Sequence, residues 1–162
     1  MIDLLTDLSS DLWRLRELLE LLLFKLEEEQ VLLASGRTRW VPHATREVEL
    51  VLDQIREGEK VRATRTRAIA QALGLPEDVS MVNLANAAPA PWGDMLHQHR
   101  RAFLALTAEI TGLAKANRDL AAGGRRSTEE TLRMVTGSLG TYDRRGGTRP
   151  VERRAHLVDE AI

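Results

Sequence analysis

Residues 3–34 read DLLTDLSSDLWRLRELLELLLFKLEEEQVLLA. Within this stretch Leu5, Leu8, Leu12, Leu15, Leu19, Leu22, Leu26 and Leu33 recur at alternating spacings of three and four, interrupted only at Glu29. A repeat of about 3.5 residues is the seam of a helix that packs lengthwise on other helices. Leu4, Leu18, Leu21, Leu23, Phe24 and Leu32 widen the apolar face beyond that seam, so more than one neighbour is expected. With a rise of about 1.5 Å per residue the helix is a rod of about 48 Å, and the rest of the chain must supply partners of matching length.

Ser35-Gly36 ends the rod, since glycine can take the left-handed conformation that closes a helix, and Pro42 suits the first turn of the next one. The second helix is predicted from Pro42 to Leu73, with Ala44, Val48, Val51, Leu52 and Ile55 on its stripe and Ile69 and Leu73 resuming it. Between them Arg56, Arg62, Arg65 and Arg67 make a basic patch, read as a solvated face or, functionally, as a polar docking surface. Leu73-Gly74-Leu75-Pro76 stops this helix, and residues 77–91 form a connector with a short helix near Ser80 to Ala87.

A third rod begins near Pro91 and carries Trp92, Leu96, His99, Phe103, Leu106, Ile110, Leu113, Asn117 and Leu120 at spacings of four and three. Gly123-Gly124 is expected to stop it, and Ser127 with Glu130 reads as a capping box opening a short helix that presents Leu132, Met134, Val135 and Leu139. The expected fold is all-α: an antiparallel bundle of three long helices with coiled-coil-like packing over residues 1–123, a short capped helix over 124–140, and a flexible basic tail over 141–162 in which a short helix could form.

The charge is uneven: residues 1–35 hold eight acids and three bases, residues 36–73 five acids and eight bases, which favours pairing the first two helices. Exposed ion pairs contribute only about 0.2–1 kcal/mol each, so the leucines decide the fold. An overall charge of −1 gives no general pull toward nucleic acid or an anionic membrane. No cysteine is present, which removes disulfides, thiolate metal sites and cysteine catalysis. Asp3 and Asp7 stand where a signal peptide would be basic, and no apolar run is long enough to span a bilayer, so a cytoplasmic protein without stable membrane insertion is expected.

Chemistry is sparse. His97 and His99 point to different helix faces, and Asp94 with His97 makes one carboxylate-x-x-histidine unit where a di-iron bundle needs two, so no metal and no cofactor are expected. His99 and Asn117, on the seam, read as satisfied polar core residues of the kind that set register. No phosphate loop, nucleophile elbow or acid pair is present, and no catalytic residue is assigned. The rods satisfy one another, so the surface left over is Leu132, Met134, Val135 and Leu139 with Leu113 and Leu120 at the end of the third rod, the candidate partner-binding site. Tyr142, the single tyrosine, lies in a polar stretch and is the candidate anchor for a second partner.

The stretch from Leu12 to Gln30, then Thr45-Arg46-Glu47-Val48-Glu49, His99-Arg100-Arg101-Ala102 and Thr141-Tyr142-Asp143, in that order and spacing, resembles the FlgN-type flagellar export chaperones in their actinobacterial form, over about residues 10–145. The resemblance implies a small cytoplasmic helical protein, not an enzyme, that binds the C-terminal helical segments of the flagellar hook–filament junction proteins and delivers them to the flagellar export apparatus. The tail from Gly146 to Ile162 matches no pattern of that family. Two other classes remain open on the residues alone: a self-associating coiled-coil scaffold, which would be a homodimer through the first helix, and a histidine phosphotransfer bundle using His97.

Overall fold

A computed structural model describes the backbone of residues 1–140 and the side chains of residues 1–134. Every regular element in it is helical: α1 (Ile2–Ala34), a 3-10 turn (Thr38–Trp40), α2 (Val41–Ala72), α3 (Met81–Ala87) and α4 (Trp92–Gly140). The chain divides into two units, Met1–Leu120 and Ala121–Ile162.

In the first unit six of the eight seam leucines of α1 are buried as their spacing predicts, and Leu33, at the end of the series, is half-buried. Leu5, Leu8, Leu12, Leu15, Leu22 and Leu26 are buried, while Leu19 is only half-buried. The second apolar set is not consumed in the same way, because Leu21 and Phe24 remain exposed. Gly36 closes α1 at φ +68°, with Arg37 N–H donating to the Leu32 carbonyl at 3.0 Å. A side chain at that φ would be strained, which is why a glycine serves at this turn.

α2 runs opposite to α1. Thr45 Oγ1 donates to Glu29 Oε1 at 2.6 Å, Lys25 Nζ lies 2.7 Å from Glu47 Oε2, and Arg65 bridges Asp7 at 2.7 Å and also Asp11. The two helices approach closely where α2 lacks a side chain, since a Cβ on Gly58 would stand 2.7 Å from Leu15 Cδ2. The basic patch of α2 is largely neutralised: Arg56, Lys60 and Arg62 each pair with an acid three residues earlier, and Arg65 with the two α1 aspartates.

α4 runs in the same direction as α1, as Ser9 contacts Met95, Trp13 contacts His99, and Asn117 reaches Leu26 and Glu29. Two buried clusters result. One gathers Leu5, Leu8 and Leu12 with Ile69, Leu84, Ala85 and Leu96, so α3, capped by Ser80 through the Asn83 N–H, closes that end. The other joins Leu22 and Leu26 to Val48 and Val51, with Ile110 and Leu113 against them. Each fully buried leucine contributes about 1.5–3 kcal/mol, which makes these clusters the main source of stability.

The expected helix stop at Gly123-Gly124 does not occur, for α4 passes through both glycines to Gly140. A glycine costs only about 1 kcal/mol relative to alanine inside a helix and keeps its N–H, and the flanking Ala121-Ala122 and Arg125-Arg126 are good helix formers. Ser127 is therefore not an N-cap. Its carbonyl accepts from Thr131 Oγ1 at 2.9 Å, and the Gly124 carbonyl accepts from Thr128 Oγ1 at 3.0 Å, the bonds of hydroxyls within a helix. The expected tail, residues 141–162, lies outside the described residues.

Candidate functional site

The residues proposed from sequence for partner binding fall on α4 in three different situations. Leu113 is half-buried and packs on the cluster of Leu22, Leu26, Val48 and Val51, so it serves the interior of the first unit. Leu120, the last residue of that unit, is exposed. In the second unit Leu132 and Met134 are exposed by 50% and 67%. Val135 and Leu139 belong to the same helix but their side chains lie outside the described residues, as does the whole of Tyr142.

The polar seam positions differ from one another. Asn117 is satisfied in part: its Nδ2 donates to the Leu26 carbonyl at 2.9 Å and to Glu29 Oε2 at 3.0 Å, while its buried Oδ1 has no hydrogen-bond partner among the described residues. Glu29, the one break in the leucine series, is thus bonded from both α2 and α4. His99 is not the satisfied core residue expected: it is 2% exposed, edge-on to Trp13 at 5.0 Å and 6.2 Å from Phe103, and neither ring nitrogen has a hydrogen-bond partner among the described residues. Burial pushes its pKa below the ordinary imidazole value, and the Arg16 guanidinium pushes it further the same way. His97, the residue of the phosphotransfer reading, has its Nε2 3.0 Å from Asn86 Oδ1. Among the described residues no three His, Cys, Asp or Glu side chains are grouped as metal ligands would be. Among them, too, no helix is long and apolar enough to cross a membrane.

Sequence reasoning missed a second surface. At the corner between α1, the 3-10 turn and α2 lies a groove of about 560 Å³, lined by Phe24, Val31, Leu32, Trp40 and Ala44 together with Glu27, Glu28, His43 and Glu47. Lys25 stands beside it, 2.8 Å from Glu28 and 2.7 Å from Glu47. These bonds, Glu28 first, raise the Lys25 pKa, and Lys25, with a smaller effect of His43, holds the Glu47 carboxyl below the ordinary carboxylate value. The available signal was Phe24 and Val31 seven residues apart and off the buried seam, with Trp40 just before Pro42.

Leu120, Leu132 and Met134 are exposed along α4 and an apolar groove opens at the α1–α2 corner, and exposed apolar surface of this kind marks interaction sites. No match to the chain was found among curated proteins or solved structures. The family model described as FlgN protein matches residues 1–150, nearly the whole chain, and the chain therefore belongs to the FlgN family of flagellar export chaperones.

Proposed function

We propose that this protein is a cytoplasmic export chaperone that binds the amphipathic C-terminal helical segments of the hook–filament junction proteins. It keeps them from assembling prematurely and delivers them to the flagellar secretion apparatus, without catalysis of its own. The observation that carries this reading is the family match over residues 1–150, which takes in the helices and the stretch from Leu132 to Tyr142. A subunit that polymerises through amphipathic terminal helices must have them covered until export, and an apolar helix face covers them by helix-to-helix packing.

In this reading α1, α2 and the first part of α4 form an up-down-up bundle that acts as the scaffold. The opposite directions of α1 and α2, and the shared direction of α1 and α4, support it. The substrate segment is held by Leu132, Met134, Val135 and Leu139 of α4, a site supported by the exposure of Leu132 and Met134. Methionine suits a surface that must fit two related partners, because its unbranched thioether adapts to different shapes.

The test is calorimetry with a synthetic C-terminal segment of a junction protein. Leu132→Asp with Leu139→Asp is expected to abolish binding while helicity and melting stay nearly unchanged. Unchanged affinity would move the substrate site elsewhere, and loss of the fold would make this part of α4 structural.

A further inference from the structure

The groove at the α1–α2 corner lies wholly in the first unit, among residues to which the proposed substrate site makes no claim. Its apolar members are unusually open to water for their size: Phe24 is exposed by 52%, Val31 by 65% and Trp40 by 51%. Single exposed leucines need no explanation, but three large side chains converging on one trough mark an interaction surface. An aromatic pair is also what binding hot spots are enriched in.

The trough is built rather than incidental. Gly36 reverses the chain, and Trp40 N–H donates to the Arg37 carbonyl at 3.1 Å, which fixes the turn that carries Trp40. Thr45 on Glu29 and Lys25 on Glu47 clamp the two walls together. Arg39 lies over one face of the Trp40 ring, 5.0 Å from its centroid. Such a surface pays little ordering entropy on binding.

Charge selects the occupant. Glu27, Glu28 and Glu47 line the trough, and the two cations at its edge are already engaged, Lys25 over the Phe24 ring at 5.4 Å and Arg39 over Trp40. Lys25 engages two of these glutamates, while Glu27 has no ion-pair partner among the described residues. A second copy of this chain pairing through the same face would set glutamates against glutamates, and the phosphates of nucleic acid or of an anionic membrane would meet acidic walls. Phe24 and Val31 are seven residues apart, so they stand about 10 Å apart along α1, the length of two helical turns. We propose that this groove docks a basic amphipathic helix of another protein, its apolar side on Phe24, Val31 and Trp40 and its lysines or arginines against Glu27, Glu28 and Glu47.

The probe is a labelled peptide of about 18 residues with leucines at helical a and d spacing and lysines elsewhere, compared with a twin carrying glutamates for lysines. Fluorescence anisotropy with the full chain should show binding of the lysine peptide, weakened by salt, and none of the glutamate twin. Phe24→Ser with Val31→Ser leaves every charge in place and should weaken binding roughly tenfold or more, as loss of a hot spot does. Trp40→Ser provides the same test should that pair disturb the fold. Leu132→Ser with Leu139→Ser should leave the affinity unchanged, which separates this groove from the proposed substrate site. Equal binding by the Phe24 and Val31 variant, binding of both peptides, or binding of neither overturns the proposal. So does a dimer in sedimentation that these substitutions dissolve, because the occupant would then be a second copy.

Discussion

Asn117 on α4 donates one amide group to both the Leu26 carbonyl, at 2.9 Å, and the Glu29 carboxylate, at 3.0 Å, so a buried side chain of one helix reads two successive contact positions of another. A shift of α4 by one turn would leave the amide among leucines. Asn117→Ala is expected to cost about 1–3 kcal/mol, the penalty for removing a partner from buried polar groups. In a double-mutant cycle with Glu29→Ala the coupling should be on the order of 1 kcal/mol, read from urea melts. Strict additivity would show that the two side chains act independently.

The buried and half-buried leucines of α1 should separate cleanly. Leu12→Ala is expected to cost about 2–5 kcal/mol because Leu12 is fully buried within the cluster that holds Ile69, Leu84 and Leu96. Leu19→Ala should cost distinctly less, since water already reaches that side chain. Guanidinium melts of the two variants decide it, and equal losses would contradict the burial pattern.

His99 predicts a pH dependence with a definite sign. Its pKa is depressed in the folded chain, so below the ordinary imidazole value of about 6.5 the unfolded chain binds a proton more readily than the folded one. The stability it permits is fully present above that pH and is lost as pH falls. Between about pH 7.5 and about pH 5.5 the urea midpoint should drop in the wild type and drop less in His99→Phe. Parallel pH profiles would remove His99 from the account.

The ion pairs between α1 and α2, Asp7 and Asp11 with Arg65 and Lys25 with Glu47, are partly open to solvent. Sodium chloride at moderate concentration should therefore lower the melting temperature slightly, by screening attraction over about a Debye length. A clear rise with salt would mean that repulsion within the acidic α1 outweighs those pairs.

Tyr142 is proposed as an anchor at the secretion apparatus, an aromatic ring in a polar stretch. Tyr142→Ala should spare substrate binding in calorimetry and reduce secretion of the junction proteins in a flagellated strain. Normal secretion would remove it from that role.

What the sequence made legible was whatever a periodic pattern expresses locally. Most of the alternating leucines of α1, the Val48 and Val51 stripe, the helical Leu96 to Asn117 series and the short helix near Ser80 to Ala87 depend on residues within a few turns, and they stand where their spacing put them. Glu29 read only as an interruption because its partners, Thr45 and Asn117, are 16 and 88 residues away. The glycines at 123–124 misled because a helix stop needs a reversing backbone as well as a weak former, and only Gly36 and Gly74 adopt positive φ among the described residues. The groove was invisible for a related reason. Whether Phe24 and Trp40 are core or surface depends on which neighbour covers them, and composition does not say.

The parallel course of α1 and α4 has a kinetic corollary. Contacts between α1 and α2 close loops as short as 16 residues, whereas Ser9 meets Met95 across 86 and Asn117 meets Leu26 across 91. Loop closure grows harder with length, and nascent chain leaves the ribosome from its N-terminus, so the α1–α2 hairpin assembles while α4 is still being made. During that interval the α4-facing side of α1, with Ser9, Leu26 and Glu29, is bare. Substitutions across the hairpin should therefore slow folding, while those between α1 and α4 should mainly hasten unfolding, a division that stopped-flow chevrons of Val48→Ala and Leu96→Ala would display.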